Sequence, residues 1–256
     1  GPMVRVLGFG FPRMFGTVGS LAVQNAERQP RRTAATASAL MIGLALVSAL
    51  TIFATSAKTS INTVIDRVIG AEFLVSNGAR QPFTEQVTAD LAGVPRVAGV
   101  AGVKLVPAMV GESVGPLVAA DPAAIATMIT LPFSVGGFAD IGATGVAVDS
   151  DTAEAAGQKV GDSVSILLPN GVTNEYTVTG LYKPAGAYSG YIVNRTSLAD
   201  AGVDVGDAFV YVKAEDGADL TALQESLTTA LADFPTVEVR SQAEFKEQIT
   251  SNVDQL

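Results

Sequence analysis

Residues 33–57 run for 25 positions without a charged side chain, and that stretch limits what the rest of the chain can be. As an α-helix it would extend roughly 37 Å at 1.5 Å per residue. That length crosses a hydrocarbon core of about 30 Å with some tilt. Arg28, Arg31 and Arg32 stand just before it, and basic residues collect on the cytoplasmic side of a span. A cleaved signal sequence has a shorter apolar segment and fewer residues ahead of it. The sequence therefore predicts one transmembrane helix over residues 33–57, with the N-terminal side in the cytoplasm and the bulk of the chain outside, at the cell membrane.

The charge distribution agrees. Residues 1–32 carry five arginines against Glu27, a net of +4, and the remainder carries a net of −13. Only 16% of the 256 residues are charged, below the roughly 25% of an ordinary soluble domain. No basic stripe with interleaved aromatics occurs, so nucleic acid is not an expected partner. The chain has no Cys and no His, which removes disulfides, thiolate metal sites and the commonest acid–base catalyst. No Gly-Lys pair occurs, so no phosphate-binding loop can be built. Ser56 and Lys58 supply the residue types of a Ser–Lys pair, but on one helix at the membrane rim, where Lys58 reads as a snorkelling charge. The expectation is a non-catalytic chain without a cofactor.

Gly1 and Pro2 read as a remnant of tag cleavage, outside the fold. Residues 3–32 read as a cytoplasmic linker and a short amphipathic helix lying in the interface, with Val18, Leu21, Ala22 and Ala26 on one side, broken by Pro30. Ala35, Ala39 and Gly43 recur every fourth position of the span, a spacing that lets another transmembrane helix approach closely. Ile61, Val64, Ile65, Val68 and Ile69 follow helical apolar spacing. They predict a stalk helix over 58–70, with Gly70 as its stop. The sequence predicts an extracytoplasmic core over 71–240 and a return stalk helix over 241–256. Ser241 and Glu244 form a capping box for that last helix, and Phe245, Ile249 and Val253 make its apolar stripe.

Within the core, strands are expected near 72–76, 103–110, 117–120, 207–213 and 236–240. Helices are expected over 84–92, from Asp121 through Ile129, and on the Leu220, Leu223, Leu227 and Leu231 stripe. Residues 164–168 and 174–182 flank Pro169, Asn170 and Gly171, a hairpin signal for which Asn-Gly suggests a type I′ turn. Residues 87–97 align without gaps on 227–237. Two similar βαβ halves closing one subdomain follow from that repeat, with a β-rich segment of about 132–200 inserted between them. Tyr182, Tyr188 and Tyr191 lie in or beside a Gly-rich loop and form a candidate partner surface. The blander alternative is that the rings cover the hairpin.

Leu21, Ala22, Asn25, Ala26, Arg28, Pro30, Arg32 and Thr33, followed by the run from Ala39 to Gly43, resemble the segment leading into the membrane in FtsX-like/MacB-like ABC-transporter permeases. Gly145 to Val148, Ala153, Val160 to Asp162 and Tyr176 to Gly180 resemble that family's periplasmic core domain. The resemblance implies an α+β core made of a porter-like subdomain with a β-rich insert, held between the first and second of four transmembrane helices. It implies an ABC ATPase subunit as partner, together with other permease helices or a second permease unit, membrane lipid, and an extracytoplasmic protein or substrate. The implied role is coupling ATP hydrolysis on that separate subunit to movement outside. Ile61, Val64, Ile65 and Val68 are the expected transmission residues, with Phe245, Ile249 and Val253. The alternative role is a binding module that regulates a cell-wall hydrolase. On the same resemblance residues 253–256 fall where the second span should begin, and residues 4–17 look like the linker of a duplicated permease of actinobacterial type.

Overall fold

The computed structural model describes residues 11–254 apart from Arg80 and Ala187, and the side chains of Ile61 and Val253 lie outside the description, as do Gly1, Pro2 and residues 3–10. The chain divides into two compact units, residues 1–57 and 58–256. In the first, helix α1 (Phe11–Arg28) is interrupted at Gly16, whose φ of +56° and ψ of −133° are not helical. The expected amphipathic segment is the part beyond that break. Helix α2 (Pro30–Val68) opens on a proline, which suits a first helical position because it has no N–H to leave unpaired. Its apolar run is long enough to cross a membrane, and none of that run is buried. Leu40, Met41 and Phe53 are at least 70% exposed. A helix apolar all round with no protein against it needs lipid or other helices.

The second unit takes the last eleven residues of α2 and continues into β1 (Phe73–Asn77), α3 (Gln86–Ala92), β2 (Val97–Val110), β3 (Ser113–Ala120) and α4 (Pro122–Met128). Next come β4 (Phe133–Val135), a 3-10 turn (Phe138–Asp140), β5 (Gly145–Asp149), α5 (Ser150–Ala156), β6 (Ser163–Leu167), β7 (Thr173–Tyr182) and β8 (Tyr191–Asn194). The chain finishes with α6 (Arg195–Asp200), β9 (Phe209–Ala214), α7 (Leu220–Ala230), β10 (Val237–Ser241) and α8 (Gln242–Asp254). Local signals explain several boundaries. The carboxylates of Asp121, Asp149 and Asp219 accept from the first backbone N–H groups of α4, α5 and α7, donors that a helix start leaves without partners.

The strands form one sheet in the order β10-β1-β9-β2-β3-β8-β5-β7-β4, with β6 bonded to both β2 and β7. Its first four strands are antiparallel neighbours. They arise from two strand–helix–strand units, β1-α3-β2 and β9-α7-β10, interleaved as in a ferredoxin-like split βαβ fold. The internal repeat maps onto this symmetry. Val87 and Leu91 of α3 and Leu227 and Leu231 of the second copy share one core with Phe73, Val75, Val210 and Val212. The other strands close on themselves through β2-β3, β3-β8, β8-β5, β5-β7, β7-β6 and β6-β2. Alternate residues of this circuit, among them Val106, Leu117, Val146, Ile166, Val178 and Val193, fill its interior. A third core lies on the opposite faces, joining Leu74, Val103, Val118, Met128 and Tyr211 to Val68 of α2.

Two expected details differ. The hairpin turn is not type I′. Asn170 is absent from the positive-φ residues, and Gly171 alone has φ of +84°. Gly171 N–H donates to Leu168 O at 2.9 Å. Pro169 sits at the second turn position, where its fixed φ favours a type I turn followed by a left-handed glycine. Nor is Gly70 a left-handed helix stop, since it too lacks a positive φ. The helix ends because Gly70 N–H donates to Met128 O and Thr130 N–H donates to Val68 O, both at 2.8 Å.

Burial separates two leucines of α7 cleanly. Leu227 is fully buried and Leu220 is 46% exposed. We expect Leu227→Ala to destabilise the chain by about 2–5 kcal/mol through the cavity it leaves, and Leu220→Ala by no more than about 0.5 kcal/mol. Thermal unfolding of both variants in detergent measures the contrast.

Candidate functional site

The apolar stripes of two helix ends meet. Val64, Ile65 and Val68 of α2 and Phe245 and Ile249 of α8 line one cavity of 470 Å³. Ile65 and Val68 are buried, and Val64 and Phe245 pack partly against the adjoining core. The capping box expected at the start of α8 is present. Ser241 N–H donates to Glu244 Oε2 at 2.7 Å, and Glu244 N–H donates to Ser241 Oγ at 3.3 Å. The backbone bond from Ser241 leads the contacts that hold the Glu244 carboxyl below its ordinary range. Gln242 ties the two helices together, its Nε2 donating to Ile69 O at 2.9 Å. Lys246 pairs with Asp66 of α2. Five of the seven expected transmission residues thus share a site, and the other two, Ile61 and Val253, have side chains outside the description.

The tyrosines of the candidate partner loop do not form a surface. Tyr182, Tyr188 and Tyr191 are all buried. Their hydroxyls turn inward, to Gly190 O, Tyr211 and Gln158. Asp149 fixes the loop from beneath: its carboxylate caps α5, accepts from the Thr152 hydroxyl at 2.7 Å and accepts from Gly190 N–H at 2.5 Å. Burial alone pushes its pKa up, but these hydrogen bonds outweigh that and hold it low. Burying the rings recovers apolar area that exposed side chains would forfeit. Between them, Ala185 and Tyr188 exchange backbone hydrogen bonds of 3.0 Å around Gly186, and Gly186 adopts φ of +59°. That turn places Ala185, Gly186 and Tyr188 in the cavity wall, where sequence spacing gave no reason to put them. Ala35, Ala39 and Gly43 are exposed on α2 in the first unit.

A polar cluster also escaped the sequence. Lys104 Nζ contacts Glu85 Oε1 and Val205 O, each at 2.5 Å. Arg195 reaches Glu85 at 2.8 Å and Asp207 at 3.5 Å. The Thr88 hydroxyl donates to Asp207 at 2.5 Å. Lys104 and Asp207 are buried. The only sequence sign was a lysine within an apolar strand, because its partners lie on distant segments.

Comparison with known proteins places this architecture. Residues 33–230 match the family model of the MacB-like periplasmic core domain. The periplasmic region of MacB from Actinobacillus actinomycetemcomitans superposes with a TM-score of 0.52 at 14% identity, covering 72% of this chain and 95% of that one. The extracellular domain of the noncanonic ABC-type transporter YknZ from Gram-positive bacteria gives 0.50 at 17% identity, covering 66% and 98%. No curated protein matches the chain. The chain belongs to the MacB/FtsX-like family of ABC-transporter permeases, and its second unit is a MacB-like periplasmic core domain. Membership and the apolar helix together make it a membrane protein.

Lys104, foremost, holds the Glu85 carboxyl below its ordinary value of 4.5. A folded-state pKa below the unfolded one adds stability above the unfolded value, and that stability is lost as pH falls through the folded value. Glu85→Gln should therefore lower the melting temperature at pH 7, and the gap to the parent chain should close as pH drops below 4.5. Melting curves over an acid pH series check both halves of that statement.

Proposed function

We propose that the chain is the transmission part of an ABC-transporter permease. On this reading its N-terminus is cytoplasmic and its core extracytoplasmic, and it carries movement driven by a separate ATPase subunit to the outer face. What supports the reading is that one continuous helix, α2, supplies an apolar run of spanning length and then four residues of the core's own cavity wall, Ser60, Val64, Ile65 and Val68. A helix of this kind passes displacement along its axis, because its hydrogen bonds all run within it. Ala35, Ala39 and Gly43 then serve as the face on which further permease helices pack. Residues 71–240 form the moving core, and residues 241–256 return towards the membrane. The chain itself is non-catalytic in this scheme. The competing regulatory module drew on an exposed tyrosine loop, and the burial of those rings leaves it without support.

The test uses the whole permease purified from membranes with the nucleotide-binding subunit that accompanies it. Replacing Ser60 by Pro interrupts α2 between its two roles, since proline removes a helix hydrogen bond and clashes with the preceding turn. We expect ATPase turnover in proteoliposomes to lose its dependence on the core by roughly five-fold, the low end of ordinary coupling energies. Phe245→Ala should act in the same direction while leaving assembly intact. Unchanged turnover in both variants, or a permease that never brings an ATPase with it, would sink the reading.

A further inference from the structure

Strand β6 keeps part of one edge free. Its bonding to β7 is set at both ends, where Leu168 N–H donates to Val172 O at 2.8 Å and Val178 N–H donates to Asp162 O at 2.9 Å. Backbone groups along an antiparallel strand turn to its two sides in alternation. Val164 and Ile166 therefore bond to β7, and Ser163, Ser165 and Leu167 face the other way. Leu167 meets Met109 of β2, but β2 turns into β3 at Gly111 and Glu112, just past the Val110–Ile166 pair. The N–H and C=O groups of Ser163 and Ser165 lie beyond that turn, with no strand beside them.

This edge opens onto a cavity of 670 Å³ that shares no residue with the one between α2 and α8. Residues 163–166 line it without a gap. Side chains of a strand alternate between faces, so an unbroken run in the wall means that β6 presents its backbone there. Val114 of β3 lines the same cavity and is 73% exposed. It stands opposite Met109, whose backbone is turned to Leu167, so the N–H and C=O of Val114 also point away from β2.

The wall specifies its occupant. Like groups on the β6 edge repeat about 6.8 Å apart, two residues of strand rise, a spacing that another extended backbone matches and a sugar ring does not. No lining residue is charged. Gly115, Ala155 and Ala156 keep the walls small, and Leu117 and Ile166 supply apolar surface, which leaves room for aliphatic side chains. Glu175 accepts from the Ser163 hydroxyl at 2.8 Å and also bonds the Ser165 hydroxyl. With the net charge of −9, it works against acidic occupants and against a second copy of this chain. We propose that the Ser163–Ser165 edge takes up an extended segment of another protein by strand addition, a segment aliphatic at alternate positions and free of acidic residues. The site does not depend on the coupling role proposed above.

The experiment uses the full chain in detergent and a library of acetylated hexapeptides, with Ala, Val, Ile or Leu at alternate positions and Ser, Thr or Lys between them. Hydrogen exchange is followed by mass spectrometry at single-residue resolution. The tightest-binding peptide is expected to slow exchange at Ser163 and Ser165 and to leave Val164 and Ile166, already bonded to β7, unchanged. Ser165→Pro removes one edge N–H, a change that an edge strand accommodates, and should weaken binding about five-fold, the effect of one hydrogen bond. Ser165→Ala keeps that N–H and should bind like the parent chain. Where the proline variant fails to fold, the same peptide N-methylated at alternate residues gives the equivalent reading on the parent chain and should lose the protection. No protection from any library member overturns the proposal, as does equal protection by the N-methylated peptide. Protection that grows with protein concentration alone assigns the edge to a second copy, and protection by maltose alone assigns the cavity to carbohydrate. Either result overturns it too.

Discussion

The fourteen-residue strand β2 has to serve three cores at once, and the rest of the second unit is arranged around that demand. Its residues alternate between faces, as any strand's must. Ala101, Val103 and Leu105 all face the core that also takes in Val68 and Tyr211. The other face changes partners along its length. Val100 packs with α3 and α7, whereas Val106, Ala108 and Val110 belong to the interior of the β circuit. Between them on this face lie Gly102 and Lys104. A Cβ at Gly102 would stand 2.5 Å from Asp207 Oδ2, so only glycine leaves room for the buried carboxylate. Lys104 fills the next position with its ion pair and its bond to Val205 O. The polar cluster is therefore a partition. It separates two apolar interiors on one side of a strand whose other side is continuous.

That partition explains how a split βαβ fold accepts so large an insertion. A buried ion pair adds little net stability over well-packed apolar residues, because desolvation offsets its attraction, but breaking one partner is costly. Such a cluster defines position more than it adds energy. Arg195 comes from α6 of the circuit side, Glu85 and Thr88 from the α3 region, and Asp207 from the approach to β9. Each side contributes charges the other must satisfy, so the circuit cannot rotate on β2 without exposing a lone buried ion. Closure through β6 then ties β7 back to β2 and leaves the three-residue β4 at the end of the strand order.

What the sequence disclosed and what it hid divide along range of interaction. The stripe from Val64 to Val68, the one on Phe245 and Ile249, the Asp121 cap and the capping box at Ser241 are all set by residues within a few positions of each other, and periodicity reveals them. The repeat revealed the pairing of α3 with α7, because both helices meet the same sheet face with the same leucine and valine spacing. By contrast, the Lys104 contact to Val205 spans 101 residues, and no local pattern encodes it. The tyrosines misled for a related reason. Their composition reads as surface, yet Asp149, a residue 41 positions away from Gly190, pulls the loop in. The turn at Asn170 went wrong locally, since Pro169 outranks the Asn-Gly signal that follows it.

These two kinds of contact also distribute rigidity. The junction at β2 is fixed by short, directional bonds to buried charges, whose loss on displacement is steep. Contacts between the end of α2 and α8 are mostly apolar and surround an open cavity. Apolar contacts are non-directional, so a shift of one helix on the other exchanges similar neighbours at small cost. Gln242 and Lys246 limit that shift at the far end of α2, near Ile69 and Asp66, and Gly70 and Thr130 pin the same end to α4. On the transmission reading, force arriving along α2 would meet a fixed end beside a yielding surface. The core would move as a body and α2 would tilt against α8. The cavity is then the element whose shape changes with the state of the permease.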